Sequence, residues 1–270
     1  MNNIHPTAII GKNVKLGNNI TISPYAIIEG NIEINDDCFI GPYVYIHGWV
    51  KIGSCTKIYS SASIGEPPQD YSWNNQPGLI EIGPNCIIRE YVTIHTPVNG
   101  DNGEKTIVSE SAFLMVSSHV AHNAKVGDHC ILANGCLLGG YVVIDDHAFL
   151  SGNVAVHQFC RVGAYAIVGA NVKIPQDVPP YTLINGSPPV PHGLNVIGLR
   201  RNGFNQETRN KLKDAYKMLY LSGLMKDRLF EIESKYSGDE KVMRLVNFVK
   251  ASKRGIVGKP GSKSHSGEEV

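Results

Sequence analysis

Charge is sparse in this 270-residue chain, and what there is nearly cancels. Charged residues make up 18% and the formal net charge is +1. That excludes the basic footprint of a nucleic-acid-binding protein and of a membrane-surface protein. No run of about 18 apolar residues occurs, so no helical membrane span is expected. The start, MNNIHPTAII, lacks a basic segment followed by a long apolar stretch. No secretory signal is therefore expected, and a cytoplasmic location is the default. Also missing, over the first 175 residues, is the 3.6-residue period of an amphipathic helix or the two-residue alternation of a half-buried strand.

What is there instead is a six-residue period. Positions 4, 10, 16, 22, 28, 34, 40, 46, 52, 58 and 64 are all Ile except Leu16. The register returns at Ile82, Ile88 and Ile94, and runs again in steps of six from Val108 to Ile174. In all, 26 hexad positions carry Ile, Leu or Val. Such a repeat signals a parallel β-helix. Three hexads close one triangular coil of 18 residues, and coils stack at the strand spacing of about 4.8 Å. Glycines following the aliphatic, such as Gly53 and Gly127, and the Asn, Asp and Gly nearby are expected to supply turn conformations.

The six cysteines invite a disulfide or zinc reading. Yet Cys38, Cys86, Cys130, Cys136 and Cys160 each sit four residues after a hexad aliphatic, a slot otherwise held mostly by Ala and Val. A slot that takes Ala, Val or Cys is a tight interior corner, where cysteine acts as a small buried hydrophobe.

Two segments break the register. Residues 66–79, EPPQDYSWNNQPGL, lack the aliphatic at 70 and 76; residues 96–106, TPVNGDNGEKT, shift the frame. Both are expected to be external loops, and long excursions from a rigid repeat often carry function. After Ile174 a proline-rich exit leads to helical spacing at Leu212, Ala215, Tyr216 and Leu219, and at Val242, Leu245, Val246 and Val249. The division expected is a β-helix over 1–193, a helical domain over 194–257 that caps it, and a disordered tail over 258–270.

The 18-residue coil turns spacing into geometry. Gly140 lies 18 residues after His122 and Gln158 lies 36 after it, so the three should form one vertical row. A histidine beside an open backbone N–H suits acyl transfer: the imidazole takes a proton from a hydroxyl and the N–H stabilises the oxyanion. The plain alternative is a set of exposed turn residues. A zinc site is the rival use of the histidines, but the HVAH spacing at 119–122 does not fit the paired histidines of zinc-binding hexapeptide proteins, and no metal is expected.

The stretches HVAHNAKVGDHCILANGCLLGG, VAVHQFCRVGAYAIVGA, QDVPPYTLINGSP and GLNVIGLRRNGF, with PPQD, IREYVTIH and SKRGI, resemble the UDP-N-acetylglucosamine O-acyltransferases of lipid A synthesis over about residues 4–257. That resemblance implies a mainly β fold, a left-handed parallel β-helix of hexapeptide repeats with a C-terminal α-helical domain. It implies a homotrimer with active sites between subunits. The reaction implied moves a 3-hydroxyacyl chain from acyl carrier protein to the sugar 3-position of UDP-N-acetylglucosamine. No cofactor stays bound, because the carrier's phosphopantetheine arrives with the substrate. Carried over motif by motif, His122 is the general base and Gly140 the oxyanion donor. Gln69 and Asp70 hold the sugar; His95, His119, His157 and Gln158 line the nucleotide-sugar and pantetheine site. Asn195 and Arg201 hold the uridine and phosphate end, for which a guanidinium is suited. Ile167 and Ala170 fall in the region that measures acyl length.

The chain departs from the usual pattern at four places. Asn123 follows the base where many members carry Asp; an amide orients the imidazole but brings no charge. Tyr141 stands where a His is common, Ile197 where an acidic residue is common, and Ser72 where a Lys is common. Ala170, where some members have Gly, points to a slightly shorter acyl chain. Arg161, Lys173, Arg209 and Lys213 are candidates for docking the acidic carrier. The rival readings are another hexapeptide sugar acyltransferase, with acetyl-CoA as donor or an amino sugar as acceptor, and a non-enzymatic scaffold. The helical domain with GLNVIGLRR argues against the simpler acetyltransferases; the two loops and the His row argue against the scaffold.

Overall fold

A computed structural model describes residues 1–258; the rest of the expected tail, 259–270, lies outside the described residues. The hexads form two- to four-residue strands that wind into three sheets, parallel except for the antiparallel strand that closes the first. The first has eleven strands, from Asn3–Ile4 to Val190–Leu194; the second has nine, from Ile9–Ile10 to Lys173–Ile174; the third has eight, from Lys15–Leu16 to Arg161–Val162. Each strand pairs with the one a coil away, as Ile4 with Ile22 and Val120 with Leu138, an offset of 18 residues. From Ile22 to Ile174 the hexad aliphatics are buried, at most 3% exposed, and form one continuous core. Of the three before Ile22, at the open end of the prism, Ile4 is exposed and Ile10 and Leu16 are only partly covered.

The cysteine reading describes the interior well. Cys38, Cys86, Cys130, Cys136 and Cys160 are buried and free, whereas Cys55, outside that slot, is exposed. Burial pushes the Cys86, Cys136 and Cys160 thiols up to about 11 and Cys130 to about 12, which leaves them unreactive thiols.

The turn chemistry differs in part from expectation: Asn and Asp such as Asn19, Asp37 and Asn153 do take left-handed backbone. Gly53 and Gly127 do not take the left-handed conformation; that falls two residues later, on Cys55 (φ 60°) and His129 (φ 54°). The glycines are there for closeness instead. A Cβ on Gly53 would lie 2.4 Å from the Pro84 nitrogen of the next coil, and one on Gly127 would lie 2.7 Å from the Asp146 nitrogen. Left-handed backbone is costly for residues other than Gly, Asn and Asp, yet Tyr and His occupy this slot repeatedly and Phe159 does so once. Their rings stack along the corners: Tyr25 on Tyr43 at 5.3 Å, His129 on His147 at 4.9 Å, His147 on Tyr165 at 4.7 Å and Tyr141 on Phe159 at 4.9 Å. Aromatic stacking offsets part of the backbone cost.

Both excursions leave the same corner. One lies between the strands Ser63–Glu66 and Leu79–Ile82, the other between Thr93–His95 and Lys105–Val108. Across the first, Ile64 pairs with Ile94 at an offset of 30 residues; across the second, Ile94 pairs with Val120 at an offset of 26. The two loops interlock: Thr96 Oγ1 donates to the Gly78 carbonyl at 3.0 Å, and a Cβ on Gly100 would lie 2.2 Å from the Gly78 Cα.

At the far end the strand Thr182–Asn185 pairs with Val190–Leu194 as an antiparallel hairpin. Four helices follow: α1 (Val196–Arg201), α2 (Gln206–Leu219), α3 (Met225–Tyr236) and α4 (Glu240–Lys250). Leu212, Ala215 and Leu219 of α2 and Val242, Leu245, Val246 and Val249 of α4 are buried in a second core; Tyr216 is half-buried. Asn195, Asn205 and Asp239 cap α1, α2 and α4 through their side chains. The chain then returns to the prism: Asp177 N–H donates to the Gly255 carbonyl at 3.0 Å, and Val257 joins the β-helix core.

Candidate active site

His122 sits at the corner between the nine- and eight-stranded sheets, just after the strand His119–Val120 and just before Lys125–Val126. That is the corner from which both excursions leave, so the loops are folded beside it. The imidazole is only 6% exposed. Its Nδ1 is 2.9 Å from Asn123 Oδ1, and its Nε2 is 3.5 Å from Asp70 Oδ2, delivered by the first excursion.

The tautomer follows from the neighbours. Asn123 Oδ1 accepts from the Val98 N–H at 3.0 Å, and Asn123 Nδ2 donates to Glu104 Oε2. A backbone N–H only donates and a carboxylate only accepts, so the amide has one orientation. Its oxygen therefore faces Nδ1, which carries the proton. Nε2 is left with its lone pair, the form a general base needs.

Gly140 lies in the next coil directly over this ring. A Cβ there would stand 2.4 Å from His122 Cε1 and Nε2. The row continues as expected: Tyr141 N–H donates to the His122 carbonyl at 3.1 Å and Phe159 N–H to the Gly140 carbonyl at 3.0 Å, which sets Gln158 above Gly140. Among the described residues no acceptor takes the Gly140 N–H.

Two more histidines lie near His122. The His95 ring meets His119 edge-on at 4.7 Å, and His119 Nδ1 is 2.7 Å from Thr93 Oγ1. Burial, reinforced by the neighbouring His119, pushes His95 down to about 4; burial also pushes His119 down. Both rings are neutral at pH 7. His95 Nδ1 is buried without a partner among the described residues. An orphaned buried nitrogen is costly. Asp70 is held by Ser72, whose N–H and Oγ donate to Oδ1 at 2.8 and 2.7 Å. Those two bonds hold the Asp70 carboxyl below its ordinary range. Ser72, one of the departures from the family pattern, thus fixes the acid. Gln69, His157 and Gln158 are exposed beside the same corner.

The remaining expected site residues lie elsewhere on the chain. Asn195, Arg201 and Ile167 line a groove of about 850 Å³ against the eleven-stranded sheet, together with His129, His147, Phe149 and Ile197. Asn195 is partly committed there: it caps α1 through Gly198 N–H at 3.0 Å and donates to the Tyr165 carbonyl at 2.9 Å. Ala170 is exposed at a third corner, between the eleven- and nine-stranded sheets. Within one chain these groups and His122 do not converge. Glu104 and Tyr141 are site residues whose connection the sequence reading missed: Tyr141 donates to Glu104 Oε2 at 3.3 Å and meets the His122 ring edge-on at 5.4 Å. The signal was available, since the second excursion ends one coil below His122.

Two of the basic residues expected to dock a carrier are engaged internally. Arg161 donates to Asp177 Oδ2 at 3.2 Å and to the Phe248 carbonyl at 2.6 Å, and Arg209 donates to the Phe204 carbonyl and Gln206. Lys173 and Lys213 are exposed.

Comparison with known proteins converges on one family. The profile described as "Udp N-acetylglucosamine O-acyltransferase; Domain 2" matches residues 177–257, and that of the bacterial transferase hexapeptide (six repeats) matches residues 31–66. Among curated relatives, the acyl-[acyl-carrier-protein]–UDP-N-acetylglucosamine O-acyltransferase of Aliarcobacter butzleri is 44% identical, over 95% of this chain and 98% of its own. Its counterpart from Burkholderia orbicola is 43% identical over 95% and 100%. The crystal structure of the Francisella novicida UDP-N-acetylglucosamine acyltransferase superposes with a TM-score of 0.92 at 35% identity, covering 99% of both chains. That of the Bacteroides fragilis enzyme superposes with a TM-score of 0.91 at 37% identity, over 94% and 99%. With the hexad prism, the helical cap and the His122–Gly140 corner, these likenesses place the chain in the family of acyl-[acyl-carrier-protein]–UDP-N-acetylglucosamine O-acyltransferases.

Proposed function

We propose that this protein transfers a 3-hydroxyacyl chain from acyl carrier protein to the 3-hydroxyl of UDP-N-acetylglucosamine, the first step of lipid A biosynthesis. The observation that carries the reading is the bare Nε2 of His122 under Gly140. In this reading the sugar hydroxyl sits against His122 Nε2, and Asp70, whose Oδ2 is 3.5 Å from that nitrogen, is within reach of the same sugar. Nε2 takes the hydroxyl proton as the oxygen attacks the thioester carbonyl. The Gly140 N–H, with no acceptor of its own among the described residues, stabilises the oxyanion. Collapse breaks the C–S bond; the proton on Nε2 passes to the leaving thiolate, and ester and free thiol depart. The neutral His95 and His119 and the exposed His157 and Gln158 line the approach for nucleotide sugar and pantetheine. No resident cofactor takes part.

The separation of the His122 corner from the Asn195–Arg201 groove supports a trimer. A second copy presenting its groove to this corner would complete the nucleotide site, and Ile167 and Ala170 would then measure the acyl chain between subunits. The low net charge and the absence, among the described residues, of a helix able to cross a membrane fit a cytoplasmic enzyme.

The test is direct. Purified protein is given UDP-N-acetylglucosamine with a panel of hydroxyacyl-carrier proteins, and separately acetyl-CoA, beside His122→Ala. Expected are ester formation from the hydroxyacyl carriers only and a loss of at least about 10²-fold in the variant. Transfer that survives His122→Ala unchanged removes the base; transfer from acetyl-CoA alone moves the protein to another class of acyltransferase.

A further inference from the structure

We infer that Glu104 is a charged positioning residue for His122, acting through the Asn123 amide. The inference rests on the reading of His122 as the general base. The structure holds an unbroken chain: His122 Nδ1–H to Asn123 Oδ1 at 2.9 Å, and Asn123 Nδ2–H to Glu104 Oε2. Asn123 is 5% exposed, and its Oδ1 also accepts from the Val98 N–H at 3.0 Å, which holds the side-chain amide in place. When Nε2 takes a proton, the ring becomes imidazolium. An amide alone offers it only a dipole. An amide whose N–H is already bound to a carboxylate has a more negative oxygen, because hydrogen bonds in series polarise one another. The charge absent at position 123 is thus supplied one residue further out.

The second departure points to the same group. The Tyr141 hydroxyl donates to Glu104 Oε2 at 3.3 Å, and its ring stands edge-on to His122 at 5.4 Å. One carboxylate therefore gathers both residues at which the chain departs from the family pattern around the base. Burial and the nearby Glu104 push the Tyr141 hydroxyl up, so it stays a donor.

Local structure explains the placement. The second excursion closes in a 3-10 turn, Gly100–Asn102, followed by Gly103 at φ 79°. Glu104 is the last residue before the strand Lys105–Val108. The adjacent Lys105 turns to Glu81 at 2.8 Å rather than to Glu104. The charged and titratable groups around the relay are Asp70, His95 and His119 on the His122 side, and Tyr141, Lys105 and Lys125 on the Glu104 side. The last three line one hollow with Glu104 and Asn123.

The experiment compares kcat, KM and the pH profile for wild type, Glu104→Gln, Asn123→Asp/Glu104→Gln and His122→Ala, with melting temperatures as the check on folding. Glu104→Gln keeps an acceptor for Asn123 but removes the charge, and Glu104 is exposed. Expected is a fall in kcat of roughly tenfold, what about one pKa unit of differential interaction gives. The KM for UDP-N-acetylglucosamine changes less than about twofold, and the acidic limb of kcat/KM moves to lower pH. Asn123→Asp/Glu104→Gln returns the charge to the imidazole directly and recovers kcat to within about threefold of wild type. A purely structural role gives neither the shifted limb nor the rescue. Wild-type kcat and limb in Glu104→Gln, with His122→Ala inactive, overturn the inference and spare the base. A double variant no faster than Glu104→Gln at unchanged melting temperature overturns it as well. Full transfer by His122→Ala removes the base reading and the relay with it.

Discussion

Gly140 is seated on the His122 imidazole: a methyl group there would stand 2.4 Å from both Cε1 and Nε2. The contact joins the two ends of the proposed chemistry, because the residue that offers an N–H is also the roof over the base. The Gly140 backbone is not in the left-handed region, so alanine is not excluded by conformation. What it cannot do is leave the ring in place.

Gly140→Ala is accordingly expected to fold and to lose activity. A ring pushed aside by about an ångström costs about 10² in rate. Steady-state kinetics beside a melting curve check this. Full activity would mean that the imidazole is not held under Gly140 during turnover.

Acid should loosen the protein through His95. The unfolded chain takes up a proton near pH 6.5, whereas the folded chain resists it until about pH 4. The unfolded state therefore binds more protons between these values, and stability, full above about pH 6.5, declines as pH falls towards 4. His119, also pushed down by burial, adds to the slope. Melting temperatures at pH 7 and pH 5 test this: His95→Gln should lose less on acidification than wild type. Equal losses would show that His95 is not the group being protonated.

Much of this was legible in the sequence because the repeat is itself a ruler. Eighteen-residue stacking set Gly140 over His122 from their numbers alone, and the same slot identified the five buried cysteines. What it missed has physical reasons. Gly53 and Gly127 were misassigned because closeness of the next coil, not φ, selects them; nearby Asn and Asp do bear left-handed backbone as expected, but so do Tyr and His. Helix α3 carries no clean apolar spacing, with only Leu229 and Ile232 buried. Glu104 looked like one more polar loop residue, although the 18-residue offset already holds from Ile107 to Lys125 and sets Glu104 one coil below His122. The Asn195–Arg201 groove could not be placed against His122 by counting, because the counting ends with the hexads at Ile174.

Acyl length should respond to Ala170. Its side chain is a single methyl group on an exposed corner. Ala170→Gly would lengthen a slot ending there by about one methylene, worth about 0.8 kcal/mol, or roughly fourfold in relative rate. Competition between hydroxyacyl-carrier proteins of neighbouring length, read by mass spectrometry of the products, should show preference moving to the longer chain. An unchanged ratio would place the end of the slot elsewhere.

Arg161→Ala should act on stability, not on carrier affinity. Asp177 is 2% exposed, and its carboxylate is paired by the Arg161 N–H at 2.8 Å and the Nε–H at 3.2 Å. The guanidinium also lies 4.1 Å over the Phe248 ring and bonds the Phe248 carbonyl, joining the last coils to α4. Removing it strips a buried charge of its partner, which costs about 3–5 kcal/mol. Asp177 also pairs through its backbone with Gly255 and Val257, so the closing segment should loosen together with α4. Urea unfolding measures the loss, and hydrogen exchange should show it first in Glu240–Lys250. The KM for the acyl carrier protein, measured at low temperature where the variant stays folded, should remain near wild type. A raised carrier KM with little change in stability would return Arg161 to the docking surface.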